Sequence, residues 1–206
     1  MATTNQIGIY GCSGHGKVIA DIAKANGIAD IIWIDDNPAI DHAISFDAFI
    51  QTYNQIPVAL GIGDNAIRQR IYRQLKKHDI KIATLIHPSS VISASAIIKE
   101  GSVVMPLCAI NADAMIGEGT IINTGTIIEH DCVIGAFCHL SPNVSFAGNV
   151  RIGELSHIGI GSCCIQNCII GAHVTVGAGS CIISDIPDNV LVVGVPAVIK
   201  KRDYHG

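Results

Sequence analysis

Three groups of residues in this 206-residue chain have side chains and spacings that can do chemistry. The first is Gly11-Cys12-Ser13-Gly14-His15-Gly16. It follows the apolar run Ile7-Gly8-Ile9-Tyr10 and precedes a helical pattern at Val18, Ile19, Ile22 and Ala23 that ends at Gly27. Strand, glycine turn and helix in that order set backbone N–H groups and a helix N-terminus against a phosphate. The spacing is GxxGxG rather than the GxGxxG of dinucleotide sites. A second apolar run, 31–34, ends in Asp35-Asp36, about 20 residues past the glycine loop, where a carboxylate can bond a ribose hydroxyl. The same glycines also suit close strand–helix packing, and Asp35-Asp36-Asn37-Pro38 also suits a turn. The second group is His130-Asp131. An imidazole has a pKa near ~6.5 and so suits a general base, and a neighbouring carboxylate fixes its tautomer and raises its basicity. The third group is the eight cysteines. None forms a CxxC pair with a second pair at zinc-site spacing, so all are expected to be non-catalytic thiols.

The element that must hold most of these residues is a repeat. From 86 to 182 an apolar residue returns every sixth position, seventeen times without a slip, from Ile86, Ile92, Ile98 and Val104 to Val176 and Ile182. Four residues after each stands a small or β-branched residue, among them Ser102, Cys108, Thr120, Cys132, Cys138, Ser156 and Cys168. Two inward positions in six, one large and one small, describe a short strand and a bend. Such a unit cannot bury its apolar residue alone, so successive units stack into a prism with a continuous core and functional residues outside. Cys108, Cys132, Cys138, Cys164 and Cys168 then fall in the core as compact hydrophobes.

Residues 1–85 read differently. Pro57-Val58-Ala59-Leu60 is a third strand, and Ile67, Ile71 and Leu75 mark an amphipathic helix capped by Asp64 or Asn65. Its outward face is expected to carry Arg68, Arg70, Arg73, Lys76 and Lys77. A fourth strand over 82–86 completes a parallel sheet covered by helices. The expected organisation is a Rossmann-like nucleotide-sugar-binding domain over 1–85 and a β-helix domain with a closing segment over 86–206. The net charge is −4 and the pI near 6.1, and between Glu100 and Ile199 Arg151 is the only Lys or Arg against eight acidic residues. That surface lacks a phosphate-tracking stripe, which disfavours nucleic acid. No basic-then-apolar leader opens the chain and no run nears the ~18 apolar residues of a membrane span, so a cytoplasmic protein without membrane insertion is expected. No Gly-x-x-x-x-Gly-Lys-Ser/Thr loop occurs, which argues against ATP hydrolysis.

The strict frame, the Ile-Gly units at Ile116, Ile134, Ile152 and Ile170, and the closing Val193-Gly194-Val195-Pro196-Ala197 resemble the hexapeptide-repeat acyltransferases with a left-handed β-helix. The glycine-loop domain ahead of the repeat, the Ile62-Gly63-Asp64-Asn65 turn and the segment Asn123-Thr124-Gly125-Thr126-Ile127-Ile128-Glu129-His130-Asp131-Cys132 resemble the bacterial UDP-amino-sugar N-acetyltransferases of the bacillosamine pathway, which share a layout with sialic-acid O-acetyltransferase-like proteins. The resemblance covers essentially the whole chain. It implies acetyl-CoA as donor, a UDP-linked 4-amino-4,6-dideoxy sugar as acceptor on the route to UDP-N,N'-diacetylbacillosamine, and a homotrimer with active sites between subunits; direct transfer without an acyl-enzyme is expected because no serine or cysteine sits in a recognisable nucleophile setting, and no metal is expected.

By that resemblance His130 is the general base, supported by Asp131, where the similar enzymes carry glutamate. His139 is the second active-site histidine and contacts the donor; Ile160 and Ala178 contact the coenzyme through backbone groups. Ser13, Gly14, His15, Asp35, Asp36 and Gly63 hold the nucleotide. Three hexads per coil stack residues 18 apart, which pairs His139 with His157 and leaves Gly148 as open space beside His130. Arg151 or the cluster Lys200, Lys201 and Arg202 would meet the coenzyme's phosphates. His87, His173 and His205 are read as surface or structural. Other classes fit the same features: a sugar or sialic-acid O-acetyltransferase, a zinc enzyme like the γ-type carbonic anhydrases built on His139 and His157, and a non-catalytic nucleotide-sugar binder.

Overall fold

The computed structural model describes residues 5–202. An α/β region precedes a parallel β-solenoid, as expected. The α/β region runs β1 (Gln6–Tyr10), α1 (Gly14–Ala25), β2 (Asp30–Ile34), α2 (Phe46–Thr52), β3 (Val58–Leu60) and α3 (Asn65–Lys77). Its sheet is parallel, in the order β2-β1-β3. The expected fourth strand over 82–86 is split. Ile82 makes one bridge to Val58, while β4 (Leu85–Ile86) already pairs with Val103 and Val104 of the solenoid. This short segment therefore belongs to both sheets.

From β4 onward, two-residue strands recur every six residues to β20 (Cys181–Ile182), and a hairpin of β21 (Val190–Val193) and β22 (Val198–Arg202) closes the prism. The strands form three faces. The first includes β4, β10 (Ile121–Ile122), β13 (His139–Leu140), β16 (His157–Ile158) and β19 (Thr175–Val176); the second includes β11 (Ile127–Ile128) and the third β15 (Arg151–Ile152). Residues 18 apart pair directly, as in Ile121↔His139↔His157↔Thr175. Each strand turns its second residue inward: Ile122, Ile128, Leu140 and Ile158 are all fully buried. Each such side chain contributes roughly 1.5–3 kcal/mol by leaving water.

The small inward position has a second duty. Its side chain donates to the carbonyl 15 residues on: Ser102 Oγ to Gly117 O at 2.7 Å, Thr120 Oγ1 to Gly135 O at 2.9 Å, Ser156 Oγ to Gly171 O at 2.8 Å. Cys132 and Cys138 do the same through sulfur, to Ala147 O and Gly153 O. A buried corner carbonyl would otherwise lack a partner. The five cysteines assigned to the core are all buried; Cys163 is exposed and Cys181 partly so.

The α/β region lies on the first face. Val103 and Ile121 point out of the prism yet are buried, because Ile9, Ile19 and Ala20 cover them. Tyr72 packs edge-on against Phe137 with ring centroids 5.2 Å apart. Its hydroxyl meets Glu100 and Glu118 at 3.1 and 3.0 Å, and Lys76 Nζ meets Glu100 at 2.9 Å. Arg68 corrects the expectation for α3: it is not on the outward face but is 1% exposed. The helix docks by that side, and the guanidinium finds carbonyls on the solenoid.

Candidate active site

At the C-terminal ends of β1 and β2 lies a cleft of about 410 Å³, lined by Ser13, Asp35, Asp36 and Gly63 and, from α3, by Ile67, Arg70 and Ile71. Gly16 is dictated by packing, since a Cβ there would sit 2.0 Å from Gly11 O. Gly14 and Gly63 differ: a Cβ on either would meet nothing within 4 Å, so their backbones face open space. Ser13 caps α1 without a side-chain bond and the first turn has no acidic residue. Its N–H groups are thus available to an anion. Asp35 accepts from the N–H groups of Cys12 and Asn37, both at 3.0 Å. Asp36 accepts from Phe46 N at 2.8 Å and from the Tyr10 hydroxyl. Both carboxylates therefore brace the loops that shape the cleft, and each oxygen keeps a lone pair for a ligand hydroxyl.

His15 leaves this cleft and joins a second group. Its ring centroid is 6.2 Å from that of His139, which is 4.8 Å from that of His157. The expected stacking of His139 and His157 is present, and His15, 124 positions earlier in the chain than His139, stands with them. His139 Nε2 meets Asn123 Nδ2 at 3.1 Å and His157 Nε2 meets Ser141 Oγ at 3.0 Å. His15 Nε2 and His139 Nδ1 are buried without a hydrogen-bond partner. Burial, and then the charge of Arg68, lower His15 to about 4. Burial, then His157, Arg68 and His15, lower His139 to about 3. Both rings are neutral near pH 7. Among the described residues no three His, Cys, Asp or Glu side chains are grouped to hold a metal ion.

His130 lies elsewhere, on the corner after β11, between the second and third faces. Its Nδ1 is 2.7 Å from Asp131 Oδ2, so the shorter carboxylate does reach the ring. That bond is the largest influence on His130 and, with the charges of Asp131 and Glu129, raises its pKa above the ordinary 6.5 against an opposing desolvation. Nε2 is left as the basic lone pair. Asp131 occupies a left-handed corner with φ 62°, the stacking site of Asp113, Asn149 and Asn167, and short polar side chains tolerate that conformation best. Gly148 corrects an expectation: the space it vacates is filled by His130 itself. A Cβ at 148 would come within 2.7 Å of Nε2.

Within one chain, then, the cleft, His15, His139 and His157 gather at the first face, and His130 with Asp131 stands on the opposite corner. Ile160 and Ala178 lie exposed beside Gly161 and Gly179, which have φ values of +68° and +66° and open surroundings. Arg151 opens β15 on the third face, and Lys200, Lys201 and Arg202 lie exposed on β22. His87 bonds Ser89 Oγ at 2.8 Å and His173 sits at a corner with φ 54°; His205 lies outside the described residues. Burial pushes the Cys12 thiol up to about 11 and Cys138 up to about 12, and raises Cys108, Cys132, Cys163 and Cys164 as well.

The family model of the PglD N-terminal domain matches residues 6–75. The acetyltransferase domain of PglB from Neisseria gonorrhoeae superposes with a TM-score of 0.89 at 37% identity, covering 95% of this chain and 99% of that one. The chain belongs to the hexapeptide-repeat acetyltransferases of the bacillosamine type. PerB from Caulobacter crescentus, solved with CoA and GDP-perosamine, gives a TM-score of 0.90 at 39% identity over 95% of this chain and 97% of that one. The UDP-N-acetylbacillosamine N-acetyltransferase of Bacillus subtilis is 37% identical over 111 residues, 47% of this chain and half the length of that protein. The gonococcal acetyltransferase domain was also solved in complex with acetyl coenzyme A.

From sequence, Arg68 and Arg70 read as residues of a solvated helix face, with no role in the site. A signal existed for Arg70, since Ile67, Arg70 and Ile71 share one helix face at i, i+3 and i+4. For Arg68 none did, because its partners Gly119, Phe137 and Cys138 are 51 to 70 residues away.

Proposed function

We propose that this protein transfers the acetyl group of acetyl-CoA to the amine of a nucleotide-linked 4-amino-4,6-dideoxy sugar. The observation that carries this is the bond between His130 Nδ1 and Asp131 Oδ2 at 2.7 Å, which leaves Nε2 as a base facing solvent. The sugar amine attacks the thioester carbonyl, a C–N bond forms and the C–S bond breaks. His130 Nε2 takes the proton from nitrogen and returns it to the departing sulfur. Burial holds Cys12, Cys108, Cys132, Cys138, Cys163 and Cys164 away from the thiolate form, which favours direct transfer. The nucleotide lies in the cleft on Gly14, Gly63, Asp35 and Asp36, its phosphates toward Ser13 and the N-terminus of α1. His15 and His139 meet the sugar and the acetyl group, and the pantetheine arm passes Ile160 and Ala178.

The functional unit is a homotrimer in which His130 of one subunit serves the cleft of the next. Two features support this. His130 and the cleft stand apart within one chain, and the second and third faces expose Val91, Ile97, Ile127 and Ile169 at 74, 52, 41 and 52%, apolar patches suited to a second copy. His130→Ala should lose at least about 10³-fold in kcat while still binding acetyl-CoA. Trimers mixed from His130→Ala and a cleft variant such as Gly63→Trp should regain part of the activity, because some interfaces then hold two intact halves. Release of CoA across UDP-, dTDP- and GDP-amino sugars and CMP-sialic acid reads both the nucleotide and the choice of nitrogen or oxygen. Retained turnover in His130→Ala would assign the base elsewhere.

A further inference from the structure

Arg68 is the largest of the fully buried side chains, and among the described residues no carboxylate bonds it. Its guanidinium spans two parts of the protein. Toward the cleft, Nη1 donates to Ile62 O at 3.1 Å and Gly63 O at 2.9 Å, and Nη2 to Asn65 Oδ1 at 2.8 Å. Toward the solenoid, Nε donates to Gly119 O at 2.6 Å, and Nη2 to Phe137 O at 2.9 Å and Cys138 O at 3.1 Å. Phe137 and Cys138 immediately precede His139. Asn65 continues the pattern one coil up, its Nδ2 donating to Leu155 O at 3.1 Å and Ser156 O at 3.2 Å, just ahead of His157. A buried charge held only by carbonyls is a costly way to dock two domains that already share apolar contacts.

We propose that Arg68 is a positioning residue which, with Asn65, sets the register between the nucleotide cleft and the His139–His157 column, so that a ligand lying in the cleft ends at His15 and His139. This rests on the acetyl-transfer reading of the cleft. The planar fork of arginine reaches both sides at once, which a lysine ammonium cannot.

The charge also acts on the column. Thr124 N donates to Asn123 Oδ1 at 2.8 Å, which turns Asn123 Nδ2 toward His139 Nε2. That nitrogen must accept, so the proton of neutral His139 is on Nδ1, which faces the Gly63 backbone without a well-formed hydrogen bond among the described residues. The charged and titratable groups facing the column are His15 from α1, Asp64 and Arg68 from the start of α3, and His157 from β16. Burial disfavours the protonated rings most; at His139 it is followed by His157, Arg68 and His15, and at His15 and His157 by Arg68, while the Gly63 backbone opposes at His139 and Asp64 at His157. His139 is thereby kept as a neutral hydrogen-bond donor, suited to a carbonyl oxygen that gains charge.

The test compares Arg68→Lys, Arg68→Met and Asn65→Ala in the full chain, measuring kcat, the Kd of UDP or GDP, and the His139 ring titration by nitrogen NMR. Both Arg68 variants should lose about 10²-fold in kcat, as expected for a displacement near 1 Å, with nucleotide Kd changed less than about threefold, a split between binding and turnover. His139 should stay neutral at pH 5 in the wild type and in Arg68→Lys, and take up its proton at higher pH in Arg68→Met. A folded Arg68→Met with wild-type kcat, a kcat loss matched by an equal loss of nucleotide affinity, or an unmoved His139 titration would overturn the proposal. If Arg68→Met does not fold, Asn65→Ala decides: a loss of at least about tenfold in kcat with nucleotide binding intact supports the clamp, and unchanged kcat overturns it. The ring titration needs no turnover, so it remains readable even if the acceptor is a different sugar.

Discussion

In the proposed reaction His130 would serve as the base only while Asp131 holds its Nδ1 and Gly148 leaves room for its ring. The raised pKa of His130 sets the sign of the pH dependence: below a pKa that lies above 6.5 the base is protonated, so kcat/KM falls as pH drops through that value. Asp131→Asn removes the main cause of the rise. Its acidic limb should move to lower pH while the plateau falls about 10- to 100-fold, and Asp131→Glu should retain most activity; a pH–rate series of the two variants checks both. Gly148→Ala puts a methyl group within 2.7 Å of Nε2. It should displace the ring and lower kcat by about 10²-fold with acetyl-CoA affinity unchanged, as read by steady-state kinetics beside calorimetry. The pairing of His130 with Asp131 was legible from adjacency alone. That the carboxylate sits at a left-handed corner was not, because adjacency carries no φ.

At the scale of the coil, the small inward residue decides whether the bends are satisfied. Ser156 donates to Gly171 O and accepts from Val174 N at 3.0 Å. Ser156→Ala orphans both backbone groups in a dry core and should cost about 1–3 kcal/mol, measurable by denaturant unfolding. Cys138→Ser should be nearly neutral in the same assay, since serine makes the same bond at 102 and 156. This level of structure was written in the period: large and small positions, core cysteines and the 18-residue stacking all follow from it. Only the hydrogen-bonding duty of the small position was invisible, because a hydroxyl and a thiol read there simply as compact side chains.

At the scale of the whole molecule, the two domains share one interface and therefore share its pH response. His15 and His139 have folded pKa values of about 4 and about 3, depressed from 6.5. Their contribution to stability is fully present above 6.5, where both states are neutral, and is lost as pH falls toward those folded values, because the unfolded chain binds protons first. The Tm should drop between pH 7 and pH 4, and the drop should be smaller in His139→Gln, as measured by calorimetry across that range.

The residues alone determined the solenoid, its stacking interval, the glycine-loop cleft and the outward placement of His130, because each depends on offsets of a few residues or on a strict period that survives at any distance. The tertiary structure decided what lies between the domains. It buried Arg68, covered Val103 and Ile121, and brought His15 to His139. Those contacts join segments with no common period, so their partners are chosen by shape and charge complementarity when the α/β region settles on the first face. A helix arginine that reads as solvated becomes the best-buried cation among the described residues because a row of corner carbonyls happens to meet it there.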